Sequence, residues 1–235
     1  MQPTTGLQPA RPAGHGTADP TAALGRAVAR YRDCGRFDRA YVAGKLRRDP
    51  VYAALLAESR NGFGRVLDVG CGRGQLGILL LEAGLATSVV GLDWNHAHLD
   101  QARRASSGLR LLAEHRDFAV AGGLPEADTV FLIDVLYQLD TQAQHALLDA
   151  CVAAARFRVV IRTADPARGL RGLITQGLEV LGRRVWPHAG AHVNPMPVSA
   201  LSDRLVAAGL EVTETACWSG TPFSNRLLVG RRAAP

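Results

Sequence analysis

Lysine is nearly absent from this chain: one of its 27 basic residues is lysine, Lys45, and the rest are arginine. No apolar run approaches the roughly 20 residues that span a bilayer, so no integral membrane segment is expected. The N-terminal stretch lacks a charged region followed by an apolar core. No secretory leader is therefore expected, and the chain reads as cytoplasmic. The four cysteines, Cys34, Cys71, Cys151 and Cys217, are scattered without C-x-x-C spacing. A disulfide framework or zinc site is not expected, and a reducing compartment fits. No aromatic-interleaved basic stripe or nucleic-acid module is present, so nucleic acid is not an expected partner. There is no internal repeat.

What remains is a 235-residue chain with 47% hydrophobic residues and a formal charge of +6. That length suits one α/β domain plus a tail or cap. Residues 156–184 hold seven arginines (156, 158, 162, 168, 171, 183 and 184) against two acids, Asp165 and Glu179. Such a segment attracts an anionic partner, or is simply a solvated basic face.

The most informative stretch is residues 65–77, RVLDVGCGRGQLG. The apolar run Val66-Leu67-Asp68-Val69 ends in glycines at 70, 72 and 74, and a helical pattern with Leu76, Leu79 and Leu80 on one face follows. This reads as a buried strand, a tight glycine loop and a helix start. The loop glycines let backbone approach a ligand closely. Gly72, Gly74 and Gly77 also satisfy G-x-G-x-x-G, a weak dinucleotide signal taken alone. Asp68 discriminates between cofactors. A carboxylate inside a buried strand is unfavourable unless it meets a donor or cation. The ammonium of S-adenosylmethionine (SAM) is such a partner, whereas a pyrophosphate at the helix N-terminus would be repelled. The alternative for Asp68 is a carboxylate tied to backbone N–H groups of its own loop.

The next unit, residues 87–93, reads as a second strand ending in Asp93. A carboxylate about twenty residues beyond the glycines can accept hydrogen bonds from ribose hydroxyls. It can also cap the following helix. Trp94 packs on an adenine face or is a surface anchor.

These motifs resemble those of the class I SAM-dependent methyltransferases over roughly residues 60–163. VLDVGCGRGQLG is similar to their first motif, with Asp68, Gly70, Cys71, Gly72 and Gly74 at the cofactor. VVGLDWN is similar to the second. EHRDFAV at 114–120 resembles the loop after strand three, which implies Asp117 at the adenine amino group and the backbone of Phe118 on the ring. ADTVFLIDVLYQLD at 127–140 resembles strand four and its active-site exit, with Asp134 lining the methionine end. KLRRDPVYAALL and the C-terminal NRLLVGRR are similar to segments of methyltransferases of aryl-polyene and fatty-acid-like biosynthesis. The resemblance implies SAM as methyl donor.

The organisation expected is a tail over residues 1–20 rich in Pro, Gly, Thr and Ala and lacking order, a helical extension over 21–60, and a SAM-binding domain over 61–235. Helical periodicity breaks at Asp49-Pro50, where one helix ends and another starts with Pro in its first turn. The resemblance implies that the helices before strand one lean over the cofactor, which makes Phe37, Arg39, Tyr41 and Lys45 candidate substrate contacts. The β-α alternation predicts a Rossmann-like, mostly parallel seven-stranded sheet with helices on both faces and a C-terminal antiparallel hairpin. Residues 164–196 are long for a strand–helix connection. They read as a cap over the acceptor pocket, or as an oligomer interface.

Methyl transfer needs alignment of an acceptor lone pair with the C–S bond, and a base only when the nucleophile starts protonated. Tyr137, His188 and His192 are the candidate acceptor-site residues; Tyr137 is otherwise a core tyrosine. The i, i+4 histidines resemble a metal pair, but Pro187 and Gly190 argue against the helix that would align them, so no metal is expected. His96, His98, His115 and His145 are expected on surfaces. The acceptor expected is a small or lipid-like metabolite, on its own or on an acidic carrier protein. An NAD-dependent oxidoreductase and a non-catalytic SAM-binding protein are the alternatives. The first of these lacks a Tyr-x-x-x-Lys pair, since Lys45 is the sole lysine.

Overall fold

A computed structural model describes residues 19–58, 62–118, 122–165, 194–218 and 224–233. Three helices come first: α1 (Pro20–Ala29), α2 (Arg36–Arg48) and α3 (Pro50–Glu58). Alternating units follow: β1 (Gly64–Val69), α4 (Gln75–Glu82), β2 (Ala86–Asp93), α5 (His96–Ala105), β3 (Leu111–His115), β4 (Ala127–Ile133), α6 (Thr141–Ala154) and β5 (Ala155–Ala164). The described chain closes with α7 (Val198–Ala207), β6 (Leu210–Ala216) and β7 (Asn225–Arg232). The seven strands form one sheet in the order β3-β2-β1-β4-β5-β7-β6. β1 to β5 pair in parallel, and β7 runs antiparallel to both β5 and β6. The predicted sheet is therefore the observed one.

The strand order sets the position of the site. From β1 the chain winds outward through β2 and β3, then returns to β4 on the other side. The crevice at the C-terminal ends of β1 and β4 is the switch point where ligands bind in such sheets. Side chains alternate across β1. Leu67 and Val69 pack with Val130, Leu132 and Leu148 in one core, while Val66 packs with Phe131 and Leu79 in the other. By the same alternation Asp68 faces the side of Val66, the side that carries α1 to α4.

The N-terminal helices share that second core through Ala23, Ala27, Tyr31, Val42 and Leu55. α1 is clamped to α4 by Glu82, which receives Arg26 at 3.0 Å and Arg30 at 2.7 Å. Tyr31 is fully buried and its hydroxyl donates to the carbonyl of Arg73 at 2.8 Å. The break at Asp49-Pro50 falls as predicted. Asp49 takes an extended conformation (φ −78°, ψ 118°) and its Oδ1 accepts from the N–H of Val51.

Three arginines of the arginine-rich segment lie among the described residues, and each has a partner or is buried. Arg156 pairs with Asp128 and stacks on Phe157, Arg158 lies over the Phe63 ring, and Arg162 is buried. The other four arginines of that segment lie outside the described residues, as do residues 1–18 of the tail, most of the 164–196 cap and the turn between β6 and β7. Unpaired positive charge sits instead on α2. This helix carries five basic residues against one acid, and Arg36, Arg39, Arg47 and Arg48 are exposed. None of these four has an ion-pair partner among the described residues.

Candidate active site

A cavity of about 1030 Å³ opens at the switch point. It is at the upper end of the about 300–1,000 Å³ common for ligand pockets, large enough for a nucleoside-sized molecule and a second ligand. Asp68, Gly70, Cys71, Gly72, Asp93, Trp94, Asp117, Phe118 and Asp134 all line it.

The glycine loop forms its floor. Gly70, Gly72 and Gly74 all have left-handed backbone, with φ of 73°, 54° and 76°. Their space requirements differ. A Cβ on Gly70 would lie 2.2 Å from Val135 Cγ2, whereas one on Gly72 would meet nothing closer than 4.0 Å. Gly70 therefore brings the end of β4 against the loop, and Gly72 presents bare backbone to the cavity. Gly74 does not line the cavity. It is the N-cap of α4 and sits under α5, where a Cβ would lie 3.0 Å from Ala102 Cβ. Gly77 packs α4 on β2, since its Cβ would approach Val89 Cγ1 to 2.8 Å.

Asp68 is 1% exposed, and its Oδ2 has no hydrogen-bond partner among the described residues. Its loop does not satisfy it. Burial, reinforced by Asp93, pushes its carboxyl up to about 7. Asp93 is satisfied differently. Oδ2 accepts from the N–H of Gly72 and Oδ1 from the N–H of Asn95, both at 2.8 Å. The cap of α5 is Asn95, whose side chain accepts from the N–H of His98, so the capping role read for Asp93 is corrected. Each Asp93 oxygen keeps a lone pair for a further donor. Cys71 is a packing residue as well as a lining one. Its thiol is buried against Gly91, where an added Cβ would lie 2.9 Å from Sγ. Burial and the two aspartates hold that thiol far above the ordinary range.

The candidate acceptor-site residues fare differently. Tyr137 is not among the residues lining the cavity. It belongs to a single 3₁₀ turn (Leu136–Gln138), where three residues complete a turn, so Val135 and Gln138 share the face toward the cavity. The Tyr137 carbonyl accepts from Asn194 at 2.9 Å. His188 and His192 lie outside the described residues. His98, expected on the surface, lines the cavity beside Asn95, and burial and Arg73 lower its pKa. It is thereby kept neutral near physiological pH.

Lys45 and Asp134 line the cavity as part of an array of four charges that also holds Asp49 and Arg162. Asp134 has φ 62°, unusual for a residue other than glycine, and costs about 1–3 kcal/mol of backbone strain. Its carboxylate sits between Arg162 Nε at 3.3 Å and Lys45 Nζ at 3.4 Å. The first contact is an ion pair without hydrogen-bond alignment. Arg162 in turn holds both oxygens of Asp49 at 2.6 Å, and Lys45 lies 4.0 Å from Asp49. Burial alone would lower Lys45, but Asp134, Tyr52, Tyr41 and Asp49 outweigh it and hold the ammonium above its ordinary pKa. Lys45 is thus cationic throughout the working pH range. Tyr52 is buried beside it, its phenol raised chiefly by burial. α2 is also tied to the glycine loop: Arg73 donates to Asp38 at 3.0 Å, and its guanidinium lies 4.6 Å from the Tyr41 ring centroid.

Among the described residues no group of three or more His, Cys, Asp or Glu side chains is placed to hold a metal ion, and no helix is long and apolar enough to cross a membrane.

Residues 66–156 match the family model for a methyltransferase domain. A comparison with curated proteins gives no match. Among solved structures, magnesium protoporphyrin IX methyltransferase from Synechocystis PCC 6803, solved with bound S-adenosylhomocysteine (SAH), is similar with a TM-score of 0.63 and 21% identity. The match covers 91% of this chain and 96% of that one. An O-methyltransferase family protein from Burkholderia thailandensis also has a TM-score of 0.63, at 19% identity over 88% of this chain and 62% of that chain. The methyltransferase SibL in its apo form gives the same TM-score at 22% identity, over 84% of this chain and 58% of that chain. Residues from β1 to the start of β5 thus match a methyltransferase domain, and the chain is similar in fold to these methyltransferases.

Proposed function

We propose that this chain transfers the SAM methyl group to a small or lipid-like acceptor, and that the cavity at the β1/β4 switch point holds both. One observation carries the reading. The buried carboxylate of Asp68, with Oδ2 unpartnered among the described residues, stands at the end of β1 against a glycine loop. An ammonium is the complement of such a group, and a pyrophosphate is not. This favours SAM over NAD.

The residues divide the work by position. Asp68 receives the amino-acid end, with the bare backbone of Gly72 alongside. Asp93 keeps lone pairs for ribose hydroxyls. Trp94, Asp117 and Phe118 line the part of the cavity suited to the adenine. Asp134, Val135 and Gln138 border the space left for the acceptor. Bound SAM supplies a methyl carbon already activated by its sulfonium. The protein is then required only to orient the acceptor and exclude water. His98 lies beside Asn95, on the side assigned here to the ribose, and takes no part as a base in this reading. His188 and His192 remain candidate acceptor-side groups of the 164–196 segment.

Two of the similar structures are a magnesium protoporphyrin IX methyltransferase and an O-methyltransferase family protein, which supports a small acceptor. The exposed arginines of α2, the helix that also carries Tyr41 and Lys45 into the cavity, support delivery by an acidic carrier. The test is incorporation of labelled methyl from SAM into extracted metabolites, free and carrier-bound. Label appearing in small acyl or phenolic molecules supports the reading. Label found only in RNA or protein side chains refutes it.

A further inference from the structure

We infer that Lys45 is the acceptor-binding cation of this site, and that the acceptor presents an ionised oxygen, a carboxylate or acidic phenolate, to be methylated on that oxygen. The inference rests on the methyltransferase reading and adds the acceptor's chemical class.

Geometry carries it. Lys45 extends from α2 into the cavity, with its side chain 26% exposed. An ammonium has three donors. One is engaged, at a long 3.4 Å, by Asp134 Oδ2. Asp49 is drawn away, because Arg162 holds both its oxygens at 2.6 Å and leaves Lys45 at 4.0 Å. Asp134 is also shared with Arg162. Asp49 is thus committed to the buried arginine, Asp134 accepts one hydrogen bond from Lys45, and among the described residues the ammonium's other two donors are left to the cavity. The other cation lining the cavity, Arg73, is occupied by Asp38, Gln101 and the Tyr41 ring. Asp134 adjoins Val135, and Val135 sits on Gly70. The cation therefore stands where the end assigned to the methionine part of SAM meets the space assigned to the acceptor.

The chemistry agrees. At this end Lys45 is protonated, Arg162 cannot serve as a base, and the Asp134 carboxylate is held between those two cations. An acceptor that arrives ionised needs none. Its oxygen lone pair forms the O–C bond as the C–S bond breaks. The sulfonium charge and the oxyanion charge cancel, and neutral ester or ether and SAH leave with no proton to place. A charge-assisted hydrogen bond from Lys45 orients that oxygen.

The test uses the full chain saturated with SAH, titrated calorimetrically with octanoate and benzoate and, in parallel, with octanamide and benzamide. At least one carboxylate is expected to bind about tenfold or more tighter than its isosteric amide, the discrimination expected of a charged hydrogen bond. Lys45→Met is expected to bring that ratio to near one while SAH still binds, with a lower melting temperature because Asp134 loses its hydrogen-bonded cation, and Lys45→Arg to restore part of both. Carboxylates that bind no tighter than amides, or a preference that survives Lys45→Met, overturn the inference. Failure of SAH to bind in the first step would instead refute the methyltransferase reading itself.

Discussion

Asp68 is destabilising in the protein alone and useful with its ligand. Its carboxyl is raised to about 7 in the folded chain, against about 3.9 for an unfolded one. Between those values the folded state holds a proton that the unfolded chain releases. The stability associated with this group is therefore complete below about pH 4 and is lost as pH rises through about 7. Asp68→Asn stays neutral throughout. It is expected to melt higher than the parent at pH 8.5 in the absence of ligand, with the difference shrinking at pH 5, measured by thermal denaturation. The same shift predicts proton release when a cationic ligand binds. SAM binding at pH 6 should release a substantial fraction of a proton and binding at pH 8.5 much less, which calorimetry in buffers of different ionisation enthalpy measures. An Asp68→Asn protein that melts lower at pH 8.5 would mean the carboxylate has a partner in the folded chain.

Elements explain why some of this site was legible in sequence and some was not. The strand–loop–helix of β1 and α4 announces itself locally, because three left-handed glycines and a buried acid fall within seven residues of one another. The array around Asp134 is assembled from four elements far apart in the chain: Lys45 on α2, Asp49 between α2 and α3, Asp134 after β4 and Arg162 on β5. Periodicity within one element cannot pair them. Two signals existed nonetheless. Arg162 interrupts the buried run Val159-Val160-Ile161 as Asp68 interrupts its own strand, and Lys45 is the one lysine among arginines. Tyr137 was placed by its distance from β4, and a 3₁₀ turn redirected it. His98 is expected on a surface, yet the first turn of α5 opens onto the cavity. The array also makes a stability prediction. Arg162 is 7% exposed on its side chain, and removing it leaves Asp49 and Asp134 without their main cation. Arg162→Met should cost about 3–5 kcal/mol in urea denaturation. Gly70→Ala should be severely destabilising, since a left-handed φ combines with a 2.2 Å contact to Val135, whereas Gly72→Ala meets only the backbone strain.

For the whole molecule, the N-terminal helices are part of the protein's core and also its charged face. α2 reaches the cavity with Tyr41 and Lys45 and turns Arg36, Arg39, Arg47 and Arg48 outward. If an acidic carrier brings the acceptor, Arg36→Glu with Arg47→Glu should raise KM for the carrier-bound acceptor about tenfold. kcat and SAM affinity should be unchanged, and parent activity should fall in high salt. Equal KM in both proteins would remove the carrier from this face. The account as a whole depends on what Asp68 meets across the cavity. Calorimetric titration of the full chain with SAM and with its analogue lacking the α-amino group measures that directly. The account predicts that the parent prefers SAM by about 10- to 100-fold and that Asp68→Asn prefers neither. Equal affinities for the two ligands in the parent would contradict it.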